Sequence, residues 1–371
     1  MKIGFDAKRA FFNRSGLGNY SRNTLDILAK YFPMNEYLLY TPFPNSKLYF
    51  YNPSCQQLRF PTKKIHNLIP FYWRSYKLHE DLINDKIELF HGLSNELPFN
   101  IHKTNIPTVV TIHDLIFMRY PRFYKYLDRK IYEKKFQYAS THASKIIAIS
   151  KQTAEDIVQF FNVPENKIEV IYQSCLPAFW EQVDTFRKKE VQMKYLIPNK
   201  YILYVGNIEE RKNILNIIKA IHRAKINYPF VIVGRTSRYM SIVKAYIENY
   251  NLKNIYFLQN VPSEDLPAIY QMAELFVYPS FFEGFGIPIL EALVSKVPVI
   301  TSKGGCFAEA GGKSTIYVDP YNPHEIGEAI NAVLKNPILK ENMIVDGYMH
   351  AQKFRHEVIA QQLIKVYELF I

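Results

Sequence analysis

The feature that most constrains this chain is an alternation of short apolar runs with longer stretches of helical period, repeated in two series. In the first series strand-like runs read at Ile3–Asp6, Tyr37–Tyr40, Glu88–Phe90, Thr108–Ile112 and Lys145–Ile149. In the second they read at Tyr201–Val205, Phe230–Val233, Ile255–Leu258, Leu275–Tyr278, Val297–Thr301 and Ile316–Val318. Helical patterns lie between them, for example from about Asn19 to Lys30, and over Lys151–Phe161 behind a capping Ser150. Strands separated by helices require crossover connections and hence parallel sheets. The expected fold class is therefore α/β, with two doubly wound, Rossmann-like domains facing across a cleft. A chain of 371 residues also suits two cores better than one. The expected division is a first domain over 1–177, a polar connector over 178–199 and a second domain over 200–354. An amphipathic helix over 355–371, with Val358, Leu363, Val366 and Leu369 to pack, is expected to cross back to the first domain.

Charge narrows the partners. The formal net charge is +12, which favours anions such as nucleotides, lipid headgroups or nucleic acid. Basic residues are densest between Arg119 and Lys135, where Arg122, Lys125, Arg129, Lys130 and Lys134 alternate with Tyr120, Phe123, Tyr124, Tyr126 and Tyr132. Two readings stand for this stretch: a dock on an anionic membrane surface, or a solvated amphipathic helix with its aromatics in the core. No nucleic-acid-binding module is recognisable, so no nucleic-acid partner is expected. No window of about 18 residues is free of charge, so no spanning helix is expected. Charges near Met1 interrupt any signal-peptide core. Cys55, Cys175 and Cys306 lie far apart without a C-x-x-C, which argues against a zinc site or a disulfide framework. The expected setting is cytoplasmic, with peripheral attachment to the inner face of the membrane as a further expectation.

Glu283 and Glu291 bracket E-G-F-G-I-P-I-L-E, placed after the run Leu275–Tyr278 and opening a helix at Pro288. The carboxyl end of a strand in an open parallel sheet is where ligands bind. Backbone amides of Gly284, Phe285 and Gly286 would lack helical partners there, and the helix dipole adds partial positive charge. Carboxylates do not bind anions; they accept hydrogen bonds from hydroxyls. Amides that seek phosphate beside carboxylates that seek hydroxyls fit a phosphate-linked sugar. Pro288 at the first helical position puts Glu291 in the first turn, roughly 10 Å from Glu283. That is about the span from the ribose to the hexose of a nucleotide sugar, with Glu291 on ribose hydroxyls and Glu283 on the transferred sugar.

A second strand ends at Gly206, and Arg211-Lys212-Asn213 then starts a helix. Two cations there can chelate a diphosphate, Arg as a planar fork and Lys as a point charge. The chain has no D-x-D pair to hold a divalent metal, so no metal and no cofactor are expected, and the cations must neutralise the leaving group. The turn Gly16-Leu17-Gly18 is either an anion cradle or a plain capping turn. His113, just past a strand, either hydrogen-bonds a sugar or phosphate oxygen or is a satisfied structural histidine. The loop holding His91 and Asn95 either lines the cleft or is an ordinary turn. Thr301 to Cys306 is another glycine loop, followed by Glu309, that could close over the ligand; Cys306 reads as a packing residue.

Together these segments resemble the retaining glycosyltransferases of family 4, which have the GT-B fold. The resemblance rests on the E-x7-E element, the strand-G-x-x-x-x-R-K-N element, the G-x-G-N-Y-S turn and T-x-H-D-L, and it covers most of the chain. It implies that Glu283 meets the donor hexose and Glu291 the ribose. It also implies that Arg211 and Lys212 meet the diphosphate, that His113 faces the transferred sugar, and that Gly16 and Gly18 approach the phosphates. Glu210 and Ala308 stand where many relatives have proline. The R-K-N form is most similar to mannosyltransferases of surface-polysaccharide assembly, which implies a GDP-mannose donor and a glycan or lipid-linked glycan acceptor. The expected reaction is metal-independent hexosyl transfer with retention, by front-face displacement. Its rivals are a nucleotide-sugar epimerase or hydrolase, and a non-catalytic nucleic-acid binder.

Overall fold

In the computed structural model the described residues are 1–43, 48–61, 63 and 68–370. The chain divides into two units: residues 1–174 with 354–371, and residues 175–353. Each unit is built around a wholly parallel sheet. Among the described residues, the first unit holds seven strands: β1 (Lys2–Asp6), β2 (Glu36–Tyr40), β3 (Gln56–Arg59), β4 (Leu89–Gly92), β5 (Thr108–Ile112), β6 (Lys145–Ala148) and β7 (Ile168–Val170). Their order is β3-β2-β1-β4-β5-β6-β7. The second unit holds six: β8 (Ile202–Val205), β9 (Phe230–Val233), β10 (Ile255–Leu258), β11 (Leu275–Tyr278), β12 (Val299–Ser302) and β13 (Ile316–Val318), in the order β10-β9-β8-β11-β12-β13.

The central strands are continuous apolar runs because helices cover both faces of such a sheet. Phe-Val-Ile-Val of β9 and Leu-Phe-Val-Tyr of β11 are buried at every residue. The helices obey the complementary rule. Ile214–Arg223 buries Ile214, Ile217, Ile218 and Ile221, one face of a 3.6-residue period. Helix Lys151–Phe161 begins where its cap requires, with Ser150 Oγ accepting from the Thr153 amide at 3.1 Å.

Two expectations change. Residues 178–199 are not a linker. They carry helix Thr185–Tyr195, whose Val191 is fully buried, and whose Arg187, Lys194 and Tyr195 all bind the buried carboxylate of Asp265. The charges that read as solvated are neutralising a buried acid, so the segment belongs to the second unit. The C-terminal helix is His356–Tyr367, in the first unit and against helix Gly16–Tyr31. It packs through Ile359, Leu363, Val366 and Tyr367, whereas Leu369 is 64% exposed. Residue 371 of the expected helix lies outside the described residues.

Candidate active site

In the second sheet the strand order reverses between β8 and β11, which are hydrogen-bonded neighbours with Leu275 opposite Ile202. Connections leave such a pair in opposite directions and open a crevice at the carboxyl ends. The loops that follow these two strands, 206–213 and 279–286, carry the residues singled out by the sequence.

The first loop is fixed by Asn213. Its backbone is left-handed (φ 62°), a conformation asparagine tolerates, and its side-chain amide donates to the carbonyls of Pro279 at 2.8 Å and Pro320 at 2.7 Å. That buried pin ties the loop after β8 to the end of β11. It aims the turn Glu210–Lys212 back toward the second loop, where Arg211 Nη1 donates to the Phe282 carbonyl at 2.6 Å.

The structure brings Arg211, Lys212 and Glu283 together on one atom. Glu283 Oε1 accepts from Lys212 Nζ at 2.7 Å and from the Tyr278 hydroxyl at 3.1 Å, and forms an ion pair with Arg211 Nη1 at 3.1 Å. Lys212 Nζ also donates to the Tyr278 hydroxyl oxygen at 2.6 Å. Glu283 is only 8% exposed, and Ser280 also favours its charged form. Burial alone would raise this carboxyl, but Lys212 and Arg211 outweigh burial and hold it at about 2. Burial lowers the Lys212 ammonium from its ordinary value, Glu283 opposes that shift, and the neighbouring Arg211 adds to it. The arrangement is an ionised carboxylate pinned through Oε1 beside two cations.

Gly286 starts the next helix. Its φ of +104° is a region that side chains avoid, so this N-cap position selects glycine. The helix runs from Ile287 to Val294, one residue earlier than the proline position predicts. Glu291 therefore lies one turn in, past the first-turn position expected of it. Its Oε2 accepts from the Tyr270 hydroxyl at 2.9 Å, and burial raises its carboxyl to about 7 despite that hydrogen bond. Phe285 turns its ring into the core. Gly206, the expected donor-binding glycine at the end of β8, has its N–H bound to the Val233 carbonyl at 2.9 Å. Cys306 is buried and donates its thiol to the Glu283 carbonyl at 3.1 Å, a packing role that also steadies the glutamate loop. Glu309 sits in the first turn of helix Phe307–Gly311, and its carbonyl accepts from His350.

The remaining predicted residues lie in the first unit. His113 follows β5 and is buried. Its Nε2 faces the Leu93 carbonyl at 2.9 Å, so that nitrogen carries the proton and Nδ1 keeps a lone pair. Burial lowers its pKa to about 4, which makes it a neutral imidazole at pH 7. Asn95 places the histidine by accepting from the His113 amide at 2.7 Å. His91 does not line an open site. It is fully buried, with Nδ1 at 2.7 Å from the Tyr367 hydroxyl and Nε2 at 2.8 Å from Thr111 Oγ1. Gly16 and Gly18 lie inside helix Gly16–Tyr31, which starts three residues earlier than expected. The Gly18 amide is bound to the Ser15 carbonyl at 3.0 Å, and a Cβ there would sit 1.8 Å from the Asn13 carbonyl oxygen. Gly18 thus permits close approach of two backbones and does not offer an amide to phosphate.

Sequence reasoning missed Tyr278, Tyr270 and the pinning role of Asn213. It also missed a buried ion network at the order reversal of the first sheet. There Arg74 binds Asp6 at 2.8 Å and Glu96 at 2.7 Å, and Lys135 reaches Glu96 at 3.3 Å. An aspartate ending the first strand was the available signal. In and around the aromatic-basic stretch some rings pack together and others are exposed. Phe117, Tyr124, Tyr132 and Phe136 form a ring cluster, while Tyr126 and Leu127 are 66% and 72% exposed at the start of helix Tyr126–His142. Among the described residues no helix is long and apolar enough to cross a membrane, and no His, Cys, Asp and Glu cluster could hold a metal.

Known proteins match this geometry along most of the chain. The description "Glycosyl transferases group 1" matches residues 188–350, and "Glycosyltransferase Family 4" matches residues 22–174. The O-antigen chain mannosyltransferase B of Escherichia coli is 29% identical over 76% of this chain and 74% of its own. Sucrose-phosphate synthase from Thermosynechococcus elongatus superposes with a TM-score of 0.80 at 20% identity, over 100% of this chain and 98% of its own. HepE of Anabaena, solved with UDP-glucose, gives 0.76 at 16% identity, with 99% of each chain covered. Two parallel sheets of this order, with a cationic and carboxylate site at the strand ends, define a glycosyltransferase of the GT-B fold. The chain belongs to the family 4 glycosyltransferases, and it is a hexosyltransferase.

Proposed function

We propose that this enzyme transfers mannose from GDP-mannose to a hydroxyl of a growing glycan or lipid-linked glycan, with retention at the anomeric carbon and without a divalent metal. The observation that carries this reading is the anchoring of Glu283 Oε1 by Lys212, Tyr278 and Arg211, which sets two cations beside a fixed carboxylate. The match to an O-antigen mannosyltransferase supports the choice of mannose and of a glycan acceptor.

In this mechanism Glu283 orients the hexose and Glu291 takes the ribose hydroxyls. Arg211 and Lys212 turn from Glu283 to the diphosphate as negative charge develops on it. The departing phosphate accepts the proton of the attacking hydroxyl, so transfer occurs on the front face. The protein contributes positioning and electrostatic stabilisation. His113 offers a neutral Nδ1 suited to a sugar hydroxyl.

The reading places the enzyme in the cytoplasm, attached peripherally to anionic membrane through Tyr126, Leu127 and the basic residues around them. Flotation with anionic vesicles at low salt tests the attachment, and absence of co-flotation removes it. The transfer itself is tested by incubating the protein with GDP-mannose, UDP-glucose and a mannoside acceptor, with the anomeric configuration read by proton NMR. An α-mannoside formed only with acceptor supports the proposal. Altered sugar nucleotide or free sugar from donor alone points to an epimerase or hydrolase.

A further inference from the structure

Both glutamates of the site are held by tyrosine hydroxyls, and both tyrosines belong to one column of rings. Tyr270 lies 5.3 Å from Phe276, Phe276 stacks on Tyr278 at 5.7 Å, and Tyr278 lies 5.7 Å from Tyr204. All four rings are fully buried. They come from three elements: helix Leu266–Gln271 supplies Tyr270, β11 supplies Phe276 and Tyr278 on one face, and β8 supplies Tyr204. Phenylalanine would fill the same space, and a buried tyrosine hydroxyl must find a partner. The Tyr270 hydroxyl finds Glu291 Oε2, and the Tyr278 hydroxyl finds Glu283 Oε1 and Lys212 Nζ.

We propose that Tyr270 and Tyr278 are paired positioning residues of the donor site, each fixing one oxygen of a glutamate so that the other oxygen faces the ligand. Because the two rings share a column, the two carboxylates are registered to each other rather than set independently. This rests on the donor-site reading given above. It extends that reading by naming the groups that orient the acids.

Glu291 depends on its tyrosine more than Glu283 does. The groups facing Glu291 are the Tyr270 hydroxyl, from helix Leu266–Gln271, and Cys175, whose buried thiol is sensitive to the Glu291 charge. Among the described residues no cation pairs with Glu291, so the Tyr270 hydroxyl is what favours its charged form. Glu283 has Lys212 and Arg211 to keep it ionised, so Tyr278 contributes direction more than charge.

The test compares Tyr270→Phe and Tyr278→Phe with wild type; both keep the rings and remove only the hydroxyls. Tyr270→Phe should raise the KM for GDP-mannose about tenfold at pH 7, with recovery at pH 9 and kcat within about twofold. Tyr278→Phe should instead lower kcat by about tenfold with little change in KM. Carbon NMR of labelled glutamate should show the Glu291 midpoint moving upward in Tyr270→Phe. This readout needs no turnover, so it answers even if the donor proves to be a different sugar nucleotide. Both variants should melt close to wild type, whereas Tyr270→Leu and Tyr278→Leu, which break the column, should melt lower. An unmoved Glu291 midpoint in Tyr270→Phe, or equal KM and kcat effects in both Phe variants, overturns the proposal.

Discussion

Lys212 Nζ lies 2.7 Å from Glu283 Oε1 in a nearly buried ion pair, and the same oxygen carries Arg211 and Tyr278. The cations of the site are thus bound to an internal counterion. On the proposed reading a diphosphate would compete with that carboxylate, and a sugar hydroxyl on Glu283 would help it do so. The pairing would then favour a complete sugar nucleotide over its bare diphosphate.

Arg211→Ala should remove one stabilising group from the departing diphosphate. A loss on the order of 3 kcal/mol at the transition state corresponds to roughly two orders of magnitude in turnover. Steady-state rates at saturating donor check this, and activity within threefold of wild type would defeat the role given to the residue.

Glu283→Gln should separate binding from transfer. Removing the negative charge leaves Arg211 and Lys212 freer for a diphosphate, so GDP should bind about tenfold tighter. Transfer should fall sharply, because the carboxylate that orients the hexose is gone. Calorimetric titration with GDP, alongside a transfer assay, reads both; weaker GDP binding contradicts the competition.

The Glu291 carboxyl, raised by burial from 4.5 to about 7, predicts a pH effect of known sign. In the unfolded chain it ionises near its ordinary value, while in the folded protein it holds its proton longer. Stability from this group therefore declines as pH rises from about 4.5 to 7 and is level above that. Glu291→Gln should match wild-type melting near pH 4.5 and exceed it at pH 8. Donor binding, which uses the ionised form, should release protons at pH 7, measurable by calorimetry in buffers of different ionisation enthalpy.

His91 and His113 act in the opposite direction. Burial lowers them to about 3 and about 4, against 6.5 for ordinary histidine. The unfolded chain takes up these protons first, so stability is lost as pH falls below about 6.5, by at most about 1.4 kcal/mol per pH unit for each ring. Urea unfolding at pH 7 and pH 5 should show this slope, and His91→Gln should reduce it by about one proton.

Transfer should persist in the presence of a chelator. The expected outcome is an unchanged rate after EDTA treatment. Loss of activity that returns with magnesium or manganese would remove the metal-free account.

Much of this architecture was legible because buried parallel strands leave unbroken apolar runs. Eleven strand-like runs were read, and each falls on a strand of the structure. The two that escaped are β3, Gln-Gln-Leu-Arg, and β7, Ile-Glu-Val, which form the outer edges of the first sheet. Edge strands face water on one side and carry polar residues, so the run is broken. Of the site, Arg211, Lys212 and Glu283 were legible because a cation pair and a carboxylate each follow a strand end. Tyr270 and Tyr278 were not, since a tyrosine in an apolar run looks like packing until its hydroxyl has a partner in space. His91 misled for the reverse reason: a histidine at a strand end resembles a site residue, and here it is consumed by Tyr367 and Thr111.

The chain enters the second unit at Cys175 and leaves it at Lys353, so that unit is one uninterrupted stretch, while the first is assembled from both termini. On the proposed reading, the donor-binding residues Arg211, Lys212, Glu283 and Glu291 are therefore encoded in one cassette with two splice points. Exchanging 175–353 for the corresponding stretch of a relative would then change the activated sugar without rewriting the remainder of the gene.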